Sequence, residues 1–212
     1  HELGHELSGM IEDSDAPETM LMRLYDLYRP RHVALFLERD GTLVLHALEC
    51  AGDGAVEPYC FDGDDTLPRV LLTARRPIAV EELDGLDTES ETDATTRAFL
   101  DAMEVCLIVP LITGNRLVGM ITLGAKASGA LYTQVDTTNL HDFSVHAAAL
   151  VEIGRLYQDS LERERLDTEL AVAQRSQQSL VPEGPLDTPG VSLVGRMMSC
   201  REVGGDSFDY FR

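Results

Sequence analysis

Downstream of Ser14 and Asp15, apolar residues fall at Met20, Leu21, Leu24, Leu27 and Tyr28. Steps of three and four put them on one side of a helix, and the pattern predicts helix over residues 6–28, in two pieces. Ser14 and Asp15 are capping types, Pro17 suits a first turn, and Pro30 stops the helix. The period then changes. Val33 to Leu37 and Leu43 to Leu48 are short apolar runs separated by Asp40-Gly41-Thr42, the pattern of a β-hairpin, which Gly52-Asp53-Gly54 closes. Leu67 to Ala74 predicts a short helix with Pro68 in its first turn, and Ile78 to Val80 a small strand. Residues 81–104 hold nine acidic residues against the single Arg97, which predicts a solvated loop and then a helix around Thr95 to Met103.

Val105 to Leu111 and Leu117 to Leu123 make the strongest strand pair, turning at Thr113-Gly114-Asn115. Pro110 suits a strand end or edge, and Gly119 a place where a helix crosses the sheet. From Thr133, whose hydroxyl can cap it, a long helix runs to about Leu180. Gly184, Pro185, Pro189 and Gly190 end it before a strand-like run, Val191 to Val194. The order of elements gives an α+β fold class: an antiparallel sheet flanked by helices, with a long C-terminal helix.

Inside that helix Leu150, Ile153 and Tyr157 recur at three and four, as do Leu166, Leu170, Ala173, Gln177 and Leu180. This is the seam of a coiled coil. Ile153 and Leu166 are 13 residues apart, one short of two heptads, so the seam changes phase between its halves. Arginines 155, 163, 165 and 175 alternate with Asp159, Glu162, Glu164, Asp167 and Glu169 around it, as on a solvated coiled-coil face. A helix packed on its own domain would show a similar stripe; the charge pattern favours a parallel homodimer through residues 150–180.

Composition narrows the partners. The 212 residues are 44% hydrophobic and 25% charged, with a net charge of −20. Such an acidic surface repels phosphate backbones and anionic lipids, which argues against nucleic acid and membrane surfaces as partners. No apolar run approaches the roughly 20 residues that span a bilayer. Cys50, Cys60, Cys106 and Cys200 are widely spaced, without a CxxC pair. Reduced thiols in a cytoplasmic protein fit that pattern better than a disulfide framework or a zinc site. Cys106 lies within the apolar run 105–109, where Cys behaves as a small hydrophobe.

Two segments resemble known families. Val109-Pro110-Leu111, then Leu117-Val118-Gly119-Met120-Ile121-Thr122-Leu123-Gly124, then Tyr132-Thr133, Asp136, Leu140, Phe143 and Ala147-Ala148-Ala149 resemble the C-terminal half of a GAF domain. The resemblance implies a GAF-like sensor domain over residues 6–158, binding an unknown small molecule or protein near residues 53–104, and a coupling helix over 159–182. No cysteine has the context of a bilin-binding GAF domain, and Asn115-Arg116 alone is too little for the asparagine-lysine signature of the cyclic-nucleotide type.

The second segment comprises Glu169-Leu170-Ala171-Val172-Ala173, Gln177-Gln178-Ser179-Leu180-Val181-Pro182 and Val203-Gly204-Gly205-Asp206-Ser207-Phe208-Asp209. It resembles the start of SpoIIE-like phosphatases of the metal-dependent PPM class, with Ser207 where that family prefers an aromatic residue. The resemblance implies that residues 183–212 begin an incomplete phosphatase domain. Asp206 would be the first ligand of a manganese or magnesium pair that activates water. Asp209 is a second candidate, balanced against a plain surface carboxylate. The other carboxylates of such a site lie on later strands, so this stretch is expected not to be catalytic by itself. The parent would be a bacterial phosphoserine or phosphothreonine phosphatase, with a phosphoprotein substrate such as an anti-sigma-factor antagonist. The alternative is metal-dependent phosphatase activity residing in this chain.

His1-Glu2-Leu3-Gly4-His5 matches HExxH, the zinc-protease helix motif, but sits at the extreme chain end where helices fray. Asp62-Gly63-Asp64-Asp65 lacks the alternation of a calcium loop and reads as a solvated turn. His141 and His146 stand five apart on the long helix, poorly aligned to share a metal.

Overall fold

The computed structural model describes residues 16–50, 59–83, 94–182, 184–197 and 208–209. The chain divides into two compact units, residues 1–155 and 156–212. Helix α1 spans Ala16–Tyr28 and buries Met20, Leu21, Leu24 and Tyr28, with Leu27 exposed at the margin of the stripe. The first piece of the expected helix, with Ser14 and Asp15, lies outside the described residues. Arg29 leaves the helix with φ +45°, its N–H donating to the Tyr25 carbonyl at 2.8 Å, and Pro30 bars continuation.

Strands β1 (His32–Arg39) and β2 (Thr42–Cys50) form the expected hairpin, each reaching beyond its apolar run. Both turn residues, Asp40 and Gly41, take positive φ, the conformation an Asp-Gly pair adopts in tight hairpins. There follow β3 (Cys60–Asp62), α2 (Thr66–Ala74), β4 (Ile78–Ala79), a 3-10 turn (Val80–Glu82) and α3 (Ala94–Ala102). The second hairpin is β5 (Val105–Thr113) with β6 (Arg116–Gly124), turning at Gly114, φ +61°. Helix α4 runs from Gln134 to Ser179.

All pairings are antiparallel, in the order β3-β2-β1-β6-β5-β4. The centre of the sheet is therefore the contact of β1 with β6, from Val33 opposite Leu123 to Leu37 opposite Gly119. Gly119 stands there because a Cβ would meet the Phe36 carbonyl oxygen at 2.6 Å; the close neighbour is strand backbone, not the crossing helix that spacing suggested.

Alternation along β1 and β6 gives the sheet two apolar faces, each covered by helix. Val33, Leu35, Ile121 and Leu123 pack with Met20 and Leu24 of α1 and Leu140, Phe143, Ala147 and Ala148 of α4. Ala34, Phe36 and Met120 pack on the other face, with Leu67 and Leu71 of α2, Val80, and Phe99 and Leu100 of α3. Leu150, which spacing placed on the exposed seam, packs instead against the α1/α4 core.

The start of α4 is tied down by a capping box. The Asp136 amide donates to Thr133 Oγ1 at 3.2 Å, and the Thr133 amide donates to Asp136 Oδ2 at 2.7 Å. Lys126 Nζ donates to the same carboxylate at 2.7 Å and lies 5.7 and 5.0 Å from the ring centroids of Tyr28 and Tyr132. Burial raises the Asp136 carboxyl, but Lys126 and the Thr133 donors outweigh it and hold the group below the ordinary carboxylate range.

In the second unit the hairpin β7 (Leu186–Thr188) and β8 (Val191–Leu193) turns at Pro189-Gly190, where one strand was expected. The Phe208 ring lies against Gly195. Among the described residues no helix is long and apolar enough to cross a membrane.

Candidate functional site

The layer between the sheet and α2/α3 is mostly hydrocarbon and aromatic ring. Phe36 meets Phe61 edge-on at 5.3 Å and Phe99 at 5.9 Å, and Tyr59 stacks on Phe99 at 4.3 Å with their planes 17° apart. These contacts fix the wall's shape as well as burying area.

Three polar side chains interrupt that layer. Thr122 lies opposite Ala34 on one side and Ile108 on the other, so it shares their face of the sheet, and it is fully buried. His32 precedes Ala34 by two residues on the same face and is 7% exposed. Its ring lies over Gly124, where a Cβ would come within 2.5–2.6 Å of the imidazole. On the helical side Thr96 is 1% exposed, three and four residues before Phe99 and Leu100, which face the sheet. His32 Nε2, Thr122 Oγ1 and Thr96 Oγ1 are all buried without a hydrogen-bond partner. Leaving each such group unsatisfied costs about 1–3 kcal/mol.

The electrostatics keep His32 uncharged near neutral pH. Burial lowers its pKa, and the carboxylate of Glu104 opposes this only in part. A neutral imidazole offers one donor and one acceptor; the hydroxyls of Thr96 and Thr122 can each do either. Glu104 also receives Arg31 Nη1 at 2.7 Å, an exposed ion pair at the rim. Cys50 lies directly across from His32. The arrangement suits recognition of a small uncharged polar group; outside the trio, burial, then Glu81 and Glu104, push the Cys106 thiol up. Cys106, a small hydrophobe within its apolar run, is nonetheless exposed. The ladder slips between Val105 and Leu107, and the bulged thiol is exposed, with its sulfur 3.7 Å from the Glu104 carbonyl.

Sequence reasoning missed this trio. Its signal was present but faint: Thr122 is the lone polar residue of the run 117–123, and His32 immediately precedes an apolar run. Of the residues singled out for metal chemistry, Asp206 lies outside the described residues, as do Gly204, Gly205 and Ser207, while Asp209 is exposed. Among the described residues no three His, Cys, Asp or Glu side chains could hold a metal ion. His1, Glu2 and His5 also lie outside. Asp62 to Asp65 is an exposed turn stitched by its own amides, Asp62 N–H donating to Asp65 Oδ2 at 2.8 Å. His146 is exposed, and His141 keeps a buried Nδ1 without a partner. Arg116 engages Glu38 and, at 3.7 Å, Glu152.

No protein-family model matches the sequence, and no curated protein matches it. Solved structures do match its fold. The GAF domain/HD domain protein of Geobacter sulfurreducens aligns over 71% of this chain and 98% of its own, at 17% identity and a TM-score of 0.55. The GAF domain of a phosphoenolpyruvate-protein phosphotransferase from Coxiella burnetii covers 74% of this chain and 95% of its own, at 16% identity and a TM-score of 0.54. The GAF domain of a two-component sensor histidine kinase from Bacillus halodurans covers 70% and 99%, at 19% identity and a TM-score of 0.52. The six-stranded antiparallel sheet, its two helical layers and the long C-terminal helix are the fold of a GAF domain.

Proposed function

We propose that the chain is a sensory module of a bacterial cytoplasmic signalling protein, in which a small polar molecule in the α2/α3 layer biases the output helix α4. The observation that carries this reading is the trio His32, Thr122 and Thr96, whose polar atoms are buried without partners. One of the structures it resembles belongs to a sensor histidine kinase, a setting of the same kind. Downstream, the residues resembling the start of a SpoIIE-like phosphatase support a metal-dependent protein phosphatase as the effector, acting on a phosphoserine or phosphothreonine protein, with Asp206 as its first metal ligand.

The sensor reading is tested by one pair of measurements. Thr122→Val removes an unpartnered hydroxyl without changing shape, so the ligand-free variant should be more stable than the parent by about 1 kcal/mol. Compounds that raise the melting temperature of the parent in a thermal-shift screen should lose that effect in Thr122→Val and in His32→Leu. A bound ligand at a hundredfold excess over its Kd contributes about 2.7 kcal/mol, well within detection. Compounds that stabilise the parent and both variants equally would remove the trio from the site. The effector reading is checked separately. Phosphatase activity toward a phosphoserine peptide should appear in the full-length protein with manganese and vanish in Asp206→Asn, whereas this 212-residue chain should show none.

A further inference from the structure

One end of the sheet gathers contacts from both helical layers. Register sets the two hairpin turns side by side there. Leu37 pairs with Gly119, so following β1 on to its turn at Asp40-Gly41 reaches the start of β6 at Arg116. Helix α2, on one face of the sheet, is tied to both turns. Ahead of its first residue, the Gly63 amide donates to the Gly41 carbonyl at 2.7 Å. Just past its last, Arg75 Nη2 donates to the Gly114 carbonyl at 2.7 Å. Arg75 holds φ +53°, a left-handed conformation that favours glycine at a helix end. Glycine would relax that backbone; what arginine adds is the bond to Gly114. Helix α4, on the opposite face, is tied to the same turns. Thr113 Oγ1 donates to the Ala148 carbonyl at 3.4 Å. Arg116, at the foot of the second turn, engages Glu38 and lies 3.7 Å from Glu152. Arg155 forks onto Glu152 with contacts of 3.2 and 2.8 Å. Glu38 also accepts the Gly41 amide at 2.9 Å, which brings the first turn into the network. The Glu38 and Glu152 side chains are each 19% exposed, so solvent screens these pairs only in part.

We infer that the two hairpin turns are a relay between the helical layers: a shift of α2 is carried around the end of the sheet, rather than through it, to residues 148–155 of α4. This rests on the reading of the α2/α3 layer as the sensory site and supplies its route to α4. Packing favours that route. Ala34, Phe36, Met120 and Ile121, at the centre of the sheet, are buried on their two faces, and a close-packed interior gives way little. The turns are held by a few hydrogen bonds and ion pairs, which long side chains can keep while the backbone moves. The two ends of this stretch of α4 are also held differently. Its start is fixed at the other end of the sheet by the Thr133–Asp136 box and by Lys126, which follows Gly124 by two residues. Arg155, in the network, is the last residue of the first unit. With the start fixed, a displacement at 148–155 tilts the helix about that start instead of sliding it along its axis.

Residue-resolved hydrogen exchange of the ligand-free 212-residue chain reads the relay without any small molecule. Arg75→Gly removes the bond to Gly114 and relaxes the backbone, so it does not threaten the fold. It should speed exchange of the amides of residues 149–155 by about threefold or more. Those of Leu140 to Phe143, at the start of the same helix, and of Met120 to Leu123 in β6 should change by less than about 1.5-fold. A rise confined to α2 and the Gly114 turn overturns the relay. A uniform rise across the domain, which reports global loss of stability, overturns it as well. Arg116→Gln should by itself speed exchange at 149–155. Adding Arg75→Gly to that variant should then add less than about 1.5-fold there, because the first tie acts through the second. Effects that multiply independently would put the route elsewhere and overturn the proposal. None of these outcomes depends on whether thermal shift finds a ligand that Thr122→Val and His32→Leu abolish, so the sensory reading and the relay fail separately.

Discussion

At the scale of single residues, function and stability pull apart at His32. Its folded-state pKa is lowered, chiefly by burial, so the folded protein resists protonation that the unfolded chain accepts near pH 6.5. Its contribution is therefore fully present above pH 6.5 and is lost as pH falls from there toward the lowered folded value. Urea unfolding of the ligand-free chain should give a smaller free energy at pH 5.5 than at pH 7.5, and His32→Leu should shrink that difference. An unchanged difference in the variant would assign the pH dependence to other groups. The case also shows what a sequence conceals. A histidine ahead of an apolar run can point to solvent or into the core, and only its pairing with Cys50 and its contact with Gly124 decide. Thr122 was unreadable for a different reason: threonine is a good strand residue, and its lack of a partner depends on Ala34 and Ile108 beside it.

At the scale of elements, the local rules were legible wherever the chain closes on itself. The Asp-Gly turn gave the first hairpin, and Thr133 three residues before Asp136 gave the start of α4. What stayed hidden depends on distant neighbours. Gly119 was recognisable as a tight spot, but the atom it makes room for is the Phe36 carbonyl, more than eighty residues earlier. Gly119→Ala should cost about 2 kcal/mol or more, because backbone cannot swing aside as a side chain can. Chemical denaturation checks this, and a variant as stable as the parent would mean that β1 and β6 can spread freely. The side of α4 that Leu150 takes was hidden for the same reason. By spacing Leu150 and Ala149 could each lie on the outer face, and only contact with the α1/α4 core separates them.

At the scale of the whole molecule, the sheet's central pairing joins the two ends of its domain. Val33 pairs with Leu123, ninety residues on, whereas Arg39 pairs with Thr42 and Thr113 with Arg116 across tight turns. Local closure is fast, and the entropy of drawing remote segments together makes the central pairing late. During synthesis β3 can cover part of β2 early, but the β1 edge of the first hairpin must wait uncovered until nearly the whole domain has left the ribosome. A nascent chain arrested before Arg116 should remain open to protease at Val33 to Leu37, and one arrested well beyond Gly124 should resist. Early resistance in the short chain would show that the hairpin had found another partner. The order of birth thus leaves a vulnerable interval in which a chaperone, or a second nascent chain, has access to the strand that later lies at the centre.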